Sequence, residues 1–362
     1  VVMVKALVAR GAGTDLAVED VELPEPGPGE VRVKVRAAGV CHSDLSMING
    51  TVTPEFPLIL GHEAAGVVSA TGPGVTRVAN GDHVVVNWSP ACRQCWFCQA
   101  GEPWLCVTAE GVACRPRGTL ADGTQANVTL GVGALAEEIV VGEQAVITLP
   151  PRLPVAEAAL IGCAVLTGVG AVRNTAGVRP GESVAVLGLG GVGLSTVAGA
   201  RLAGADPIIA VDLSPEKEEL ARAAGATEFL LSDKALPKAI RSLTGGRGAD
   251  HAFECVGRAA TIRAAWQSTR RGGNCIVVGM GARDDAVSFS ALEIFHFART
   301  LTSSVYGSAD PDRDVPLIAA AALDGSLDLG ALVTHRISLA DVPAAFDRMR
   351  RGEGARSLVL FD

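Results

Sequence analysis

The sequence predicts an α/β protein of two domains, an antiparallel, barrel-like β domain followed by a doubly wound parallel-sheet domain. Three observations carry this. Short alternating strands broken by Gly and Pro fill the first part of the chain, a glycine-rich turn between a strand and a helix opens the second, and Val/Ile runs then alternate with helical stretches. The 362 residues, 48% hydrophobic and 19% charged, suffice for two cores.

The segments VKALVA, LAVEDVELPEPGPGE and VRVKVRAAG read as strands, with Val31, Val33 and Val35 on one face of the third. PEPGPGE continues neither a helix nor a central strand, because each Pro lacks a ladder donor. Gly-interrupted β text runs on to Val86, residues 91–130 carry dense Cys with little periodic apolar pattern, and AEEIVVGEQAVITLP returns to strands. After RLPVAEAALIGC the rhythm becomes strand–helix: SVAVLG, GVGLSTVAGARLAG, PIIAVD, SPEKEELARAAGA, DHAFECVG and GNCIVVG. Continuous apolar strands joined by helices indicate a parallel sheet covered on both faces, over roughly residues 165–305. The tail from Tyr306 has two helical stretches and a final strand, RSLVLF, and its pattern alone assigns it to neither domain.

Lys+Arg of 31 against Asp+Glu of 39 gives a net charge of -8, whose field repels nucleic acid and anionic lipid. Every apolar run is cut by Gly, Pro or charge before the length of a spanning helix. No nucleic-acid or membrane partner is therefore expected. No leader pattern is read, and a cytoplasmic location is expected.

In VAVLGLGGVG, Gly188 permits a tight turn, Gly190 admits a pyrophosphate to the backbone, and Gly193 lets helix and strand pack closely; Gly191 and Val192 begin the helix. Asp212 ends the next strand, where a carboxylate accepts from both ribose hydroxyls and repels a 2′-phosphate, so NAD is favoured over NADP. Lys217 lies on the adenosine side or on a solvated helix face.

Cys92, Cys95, Cys98 and Cys106 supply four thiols, which suit a closed structural zinc site; a disulfide pair or an iron–sulfur cluster are the rivals. Cys41 in GVCHSD, His62 in LGHEAAG and Cys163 in LIGCAVLTG form a dispersed second group. Two thiolates and an imidazole leave a fourth position open, and zinc there would make an alcohol more acidic. Cys114, Cys255 and Cys275 read as small buried hydrophobes.

These blocks, with GDHVVV, VDLSPEK and GARSLVLF, follow one another along nearly the whole chain as in the zinc-dependent, medium-chain alcohol dehydrogenase family, which the sequence resembles. The resemblance implies a GroES-like β-rich catalytic domain (1–164 and 306–362) with an inserted Rossmann-like NAD-binding domain (165–305). It implies two zinc ions, a catalytic one on Cys41, His62 and Cys163 and a structural one on Cys92, Cys95, Cys98 and Cys106. It makes Glu63 an acid close to the metal, Asp44 the acid orienting the ligand histidine, and Ser43 the acceptor of the alcohol proton. His42 and Arg356 match pyrophosphate contacts, and Val256 joins the cofactor-binding set.

Two positions depart from the family. Ser46 stands where many members have a histidine that passes the proton to solvent, so the expected relay ends at the nicotinamide ribose and water, or runs through His42. Members acting on the glutathione adduct of formaldehyde have an Arg and an acid where this chain has Glu110 and Val52, which points toward general alcohol oxidation. Matching of positions puts Val52, Trp88, Leu105, Val132 and Met280 around the substrate, an apolar pocket that grades alcohols instead of selecting one. The implied activity is reversible NAD-linked oxidation of primary, aromatic or medium-chain alcohols to aldehydes. The alternatives are a thiol-adduct formaldehyde dehydrogenase and a non-catalytic dinucleotide-binding structural protein. The family associates through the edge of its Rossmann sheet, and a homodimer is expected, with a homotetramer as the alternative.

Overall fold

Val31, Val33 and Val35 alternate inward along the strand Glu30–Gly39, and all three are buried. The computed structural model describes residues 1–110 and 116–362, so Cys114 and the side chain of Glu110 lie outside the described residues. The described chain divides into two units.

The first unit holds Val1–Cys163, Asp310–Gly325 and Val333–Asp362. The strands Val2–Ala9, Leu16–Leu23, Pro116–Leu120, Gln125–Val128 and Leu58–Ile59 close a GroES-like barrel. Closure leaves no free edge. A second sheet runs Val146–Thr148, His83–Val86, Glu63–Thr71, Glu30–Gly39, Arg356–Leu360 and Val333–Ile337, with Glu138–Gly142 also on Glu30–Gly39. Leu7, Leu58, Leu60 and Leu135 sit in the core of this unit. The closing strand pairs antiparallel with Glu30–Gly39, Leu358 opposite Gly39, so Arg356 stands beside the end of the strand that leads to Cys41.

The second unit holds Ala164–Ala309 and Ser326–Leu332. Its six strands are all parallel, ordered Glu228–Leu231, Ile208–Asp212, Val184–Leu187, Ala249–Glu254, Thr269–Val277 and Thr300–Ser303. Val184–Leu187 is buried throughout, as a strand covered on both faces must be. The strand order reverses beside it, making a Rossmann-like sheet whose crevice opens at the carboxyl end, where Gly188 lies. The helix Gly191–Leu202 packs closely because Gly168 has no side chain: a Cβ there would lie 2.6 Å from Ser195 Cβ.

Candidate active site

Within the first unit Cys41, His62, Glu63 and Cys163 present ligand atoms that all lie within 4.8 Å of one another, and all four residues are buried. Cys41 caps the helix His42–Ile48, His62 immediately precedes the strand Glu63–Thr71 that Glu63 opens, and Cys163 follows the turn Ala159–Gly162. Two glycines make the convergence possible. Gly61 adopts φ +99°, and a Cβ there would strike the backbone of Leu135, so the approach to His62 requires glycine. A Cβ at Gly39 would occupy the place of the Glu63 carboxylate.

Asp44 fixes the imidazole. Its Oδ1 lies 3.2 Å from His62 Nδ1 and accepts the Gly61 N–H at 2.9 Å, while Oδ2 accepts the Cys41 N–H at 3.3 Å. With the Nδ1 proton held by a carboxylate, His62 Nε2, 3.4 Å from Cys163 Sγ, is left as the ligand atom. Arg356 is buried at the same cluster: its Nη2 lies 2.8 Å from Glu63 Oε1 and 3.5 Å from Cys41 Sγ, and its Nη1 donates to Val40 O at 3.0 Å. Sequence reasoning missed this ion pair, which joins positions far apart in the chain, and it gave Arg356 a pyrophosphate contact instead. The hydrogen bond from Cys163 holds the Cys41 thiol well below its ordinary value, with Arg356 and His62 adding to the effect against burial. Burial pushes the Glu63 carboxyl up to about 7, with Arg356 opposing it.

The donor set fits zinc. Two sulfurs and an imidazole nitrogen oriented from behind lie close together, with the buried Glu63 Oε2, which has no hydrogen-bond partner, beside them, and the soft and borderline sulfur and nitrogen donors suit that ion.

Cys92, Cys95, Cys98 and Cys106 also bring their sulfurs within 4.8 Å of one another, as free thiols. Backbone N–H groups of Cys95 and Gln94 donate to Cys92 Sγ at 3.2 and 3.4 Å, and that of Cys92 donates to Cys106 Sγ at 3.2 Å, as a loop wrapped around thiolates would provide. Thr108 Oγ1 lies 3.0 Å from Cys106 Sγ, and Arg93 pairs with Asp310 and Asp312; neither contact was read from the sequence.

In the second unit, Gly190 caps the helix Gly191–Leu202, which begins at Gly191, Val192 and Gly193. A Cβ on Gly193 would collide with the carbonyl of Gly188. Asp212 accepts the Leu189 N–H at 2.8 Å and the Ser214 N–H at 3.0 Å, so its carboxylate is tied to the glycine turn. Val256 is exposed beyond the strand Ala249–Glu254, and Lys217 is buried at the start of its helix, burial lowering its pKa.

His42 is exposed and Ser43 half-buried in the helix next to Cys41, whereas Ser46 is buried. Of the substrate-pocket positions, Trp88 stands edge-on to His62 with ring centroids 6.3 Å apart. Val52 packs against the core of the first unit and Val132 lies inside it; Leu105 is exposed near the Cys quartet, and Met280 is exposed in the second unit. Among the described residues no single helix is long and apolar enough to cross a membrane.

Comparison with known proteins gives the following likenesses. The Alcohol dehydrogenase GroES-like domain family matches residues 27–151, and the Zinc-binding dehydrogenase family matches residues 191–321. An S-(hydroxymethyl)glutathione dehydrogenase of Escherichia coli O1:K1 / APEC is 37% identical over 369 residues, spanning 99% of this chain and 99% of its own. Among solved structures, an alcohol dehydrogenase zinc-binding domain protein from Burkholderia ambifaria superposes with a TM-score of 0.94 at 32% identity, over 100% of this chain and 99% of that one. A benzyl alcohol dehydrogenase from Acinetobacter calcoaceticus superposes with a TM-score of 0.92 at 27% identity, over 100% of both chains.

Proposed function

The chain belongs to the zinc-dependent medium-chain dehydrogenase/reductase superfamily and has its zinc- and NAD-dependent oxidoreductase chemistry, and we propose that it oxidises the hydroxymethyl group of a thiol adduct of formaldehyde. The observation that carries this is the 37% identity to an S-(hydroxymethyl)glutathione dehydrogenase along 99% of both chains. That likeness outweighs the two positions, Glu110 and Val52, that favoured general alcohol oxidation. Those two residues bear instead on which thiol is read: an apolar Val52 and an acidic Glu110 suit an adduct less dependent on paired carboxylate contacts than the glutathione one.

Zinc held by Cys41, His62 and Cys163 would supply Lewis-acid polarisation of the substrate oxygen. A second zinc on the Cys quartet would pin a lobe with little apolar content. Asp44 keeps the His62 ring turned, Arg356 balances Glu63, and the Ser43 hydroxyl takes the substrate proton at Oγ. Gly188, Gly190 and Gly193 with Asp212 form the cofactor cradle. The exposed Leu292, Ile294, Phe295 and Leu301, on and beside the sheet-edge strand Thr300–Ser303, support a homodimer, which light scattering would test.

A second reading, oxidation of primary aromatic alcohols, is favoured by Trp88 beside His62 and by the likeness to a benzyl alcohol dehydrogenase. NADH formation is measured with formaldehyde plus glutathione, formaldehyde plus mycothiol, formaldehyde alone and benzyl alcohol. We expect kcat/KM to be highest with a thiol adduct; a higher value for benzyl alcohol would replace the first reading with the second.

A further inference from the structure

A chain with a net charge of -8 carries, on its second unit, a groove of about 570 Å³ lined by Lys234, Lys238, Arg241, Arg247, Arg271 and Arg299 and by a single carboxylate, Glu293. Three stretches build it: the helix Leu236–Leu243 with the turns before and after it, the junction of the helix Ala259–Ser268 with the strand Thr269–Val277, and the helix Ala291–Phe297 with Arg299 beyond it.

The one acid is already engaged. Glu293 accepts both Arg263 Nη1 contacts at 3.0 Å and the Trp266 Nε1–H at 2.7 Å, and its carboxyl stays ionised because these partners outweigh its burial. None of the six lining cations forms an ion pair among the described residues. Their hydrogen bonds go to uncharged groups: Arg241 Nη1 to Gln267 O at 3.4 Å, Arg299 Nε to Arg270 O at 3.4 Å, and Arg271 Nη2 to His296 Nε2 at 3.3 Å. Aromatic faces hold two of the guanidiniums in place. Arg299 Cζ stands 4.4 Å from the Phe297 ring centroid and 5.4 Å from that of Trp266, and Arg271 Cζ stands 5.6 Å from Phe297. Burial, with Arg241 and Arg263 nearby, lowers the Arg299 pKa against the opposing pull of Glu293, which is itself paired with Arg263.

Crowded cations are costly unless an anion joins them, and planar guanidiniums pair two-pronged with phosphate oxygens. We infer that this groove is a second ligand site, separate from the dinucleotide cradle, for a small oligophosphate carrying two or more phosphate groups. The volume lies within the range of small-molecule sites and is too confined for a duplex. A free nucleoside triphosphate and inorganic oligophosphate share the recognising chemistry, and the test separates them.

The experiment is calorimetric titration of the full-length, zinc-loaded protein saturated with NADH, so that the dinucleotide cradle is filled. Inorganic tripolyphosphate, ATP and citrate are the probes. The variants are Arg241→Gln/Arg271→Gln in the groove and, as a control, Arg10→Gln, an exposed arginine of the first unit. Tripolyphosphate is expected to bind one per chain, at least tenfold more tightly than citrate, with affinity falling at least tenfold in the groove variant and unchanged in the control. ATP binding equal to tripolyphosphate marks the phosphates as the recognised part, and tighter ATP binding marks a nucleotide source. No saturable binding of either phosphate, or binding that the groove variant leaves intact, overturns the proposal.

Discussion

The Asp44 carboxylate lies 3.2 Å from His62 Nδ1, with neither side chain reaching solvent. One carboxylate here does three things: it orients the imidazole, accepts the Gly61 N–H, and accepts the Cys41 N–H at the start of the helix. Asp44→Asn can replace only part of this, because an amide has one accepting oxygen where the carboxylate uses two. We expect zinc affinity and turnover each to fall by about 10–100-fold. Chelator competition and kcat measure the two effects; a variant with wild-type zinc retention would show that the His62 orientation is set elsewhere.

Two zinc ions with unequal duties are expected, a catalytic one at the Cys41, His62 and Cys163 cluster and a structural one at the Cys quartet. Cys98→Ala is expected to leave one zinc per chain and a first unit that unfolds more readily, because a structural ion contributes folding energy outright. His62→Ala is expected to abolish turnover while circular dichroism stays near that of the parent. Elemental analysis giving a single zinc in fully active protein would contradict the assignment.

The legible parts of this fold are those written in local pattern. Period-2 valines at 31, 33 and 35 marked a strand with one buried face, and four cysteines within fifteen positions marked a closed site. The open site was harder, because Cys163 lies 101 residues beyond His62 and only the folding of the turn Ala159–Gly162 brings them together. Family likeness supplied that grouping; spacing did not. The place of Arg356 was invisible for the same reason: its contact with Glu63 spans 293 residues and depends on the last strand pairing with Glu30–Gly39. Ser46 stands where many family members carry a relay histidine, and its burial could not be read from the sequence; an imidazole introduced there would overpack the first unit before it met solvent.

Asp212 is expected to set cofactor choice. Both carboxylate oxygens already accept backbone N–H groups, so removing the side chain would loosen the turn as well as the ribose contact. Asp212→Asn keeps an acceptor and removes the charge. Combined with Leu213→Arg at an exposed neighbour, it should weaken NAD use by about tenfold to a hundredfold, the scale of one hydrogen bond to a charged group, and improve NADP use. The ratio of kcat/KM for the two cofactors is the readout. A wild-type protein indifferent between them would dispose of the idea.

Acid stability should depend on Asp250. Burial alone would raise this carboxyl, but the Ser183 hydroxyl and N–H, with Arg270, hold it at about 2, below its ordinary 3.8. A depressed native value means that the carboxylate contributes stability in full above about 3.8 and loses it as pH falls toward 2. The contribution is about 2 kcal/mol by linkage. Asp250→Asn should therefore lower the unfolding temperature near neutrality, and the gap between variant and parent should close between pH 4 and 2. Zinc loss in acid affects both proteins alike and cancels in the difference. A gap that stays constant across this range would exclude the linkage.

Proton removal is the step where Ser43 is expected to matter. A substrate carbon releases hydride readily only as its hydroxyl gives up the proton, and the acceptor must stand beside the metal ligands. Ser43 is half-buried in the first turn of the helix that Cys41 caps, and the neighbouring residue, His42, is exposed. A hydroxyl has no basicity of its own near neutrality, so Ser43 can only take the proton while passing its own onward. Ser43→Ala preserves the helix and removes that route. The rate of the first turnover should fall by about a hundredfold or more at neutral pH, the range for removal of a positioned proton acceptor, while NADH affinity changes little. At alkaline pH, where hydroxide can replace the relay, the difference should shrink. Stopped-flow measurement is needed, because slow NADH release would mask the change in steady-state rates. A variant that keeps the parent's first-turnover rate at neutral pH would move the acceptor to another group, and Glu63, buried among the ligands with one oxygen unpartnered, would be the next to test.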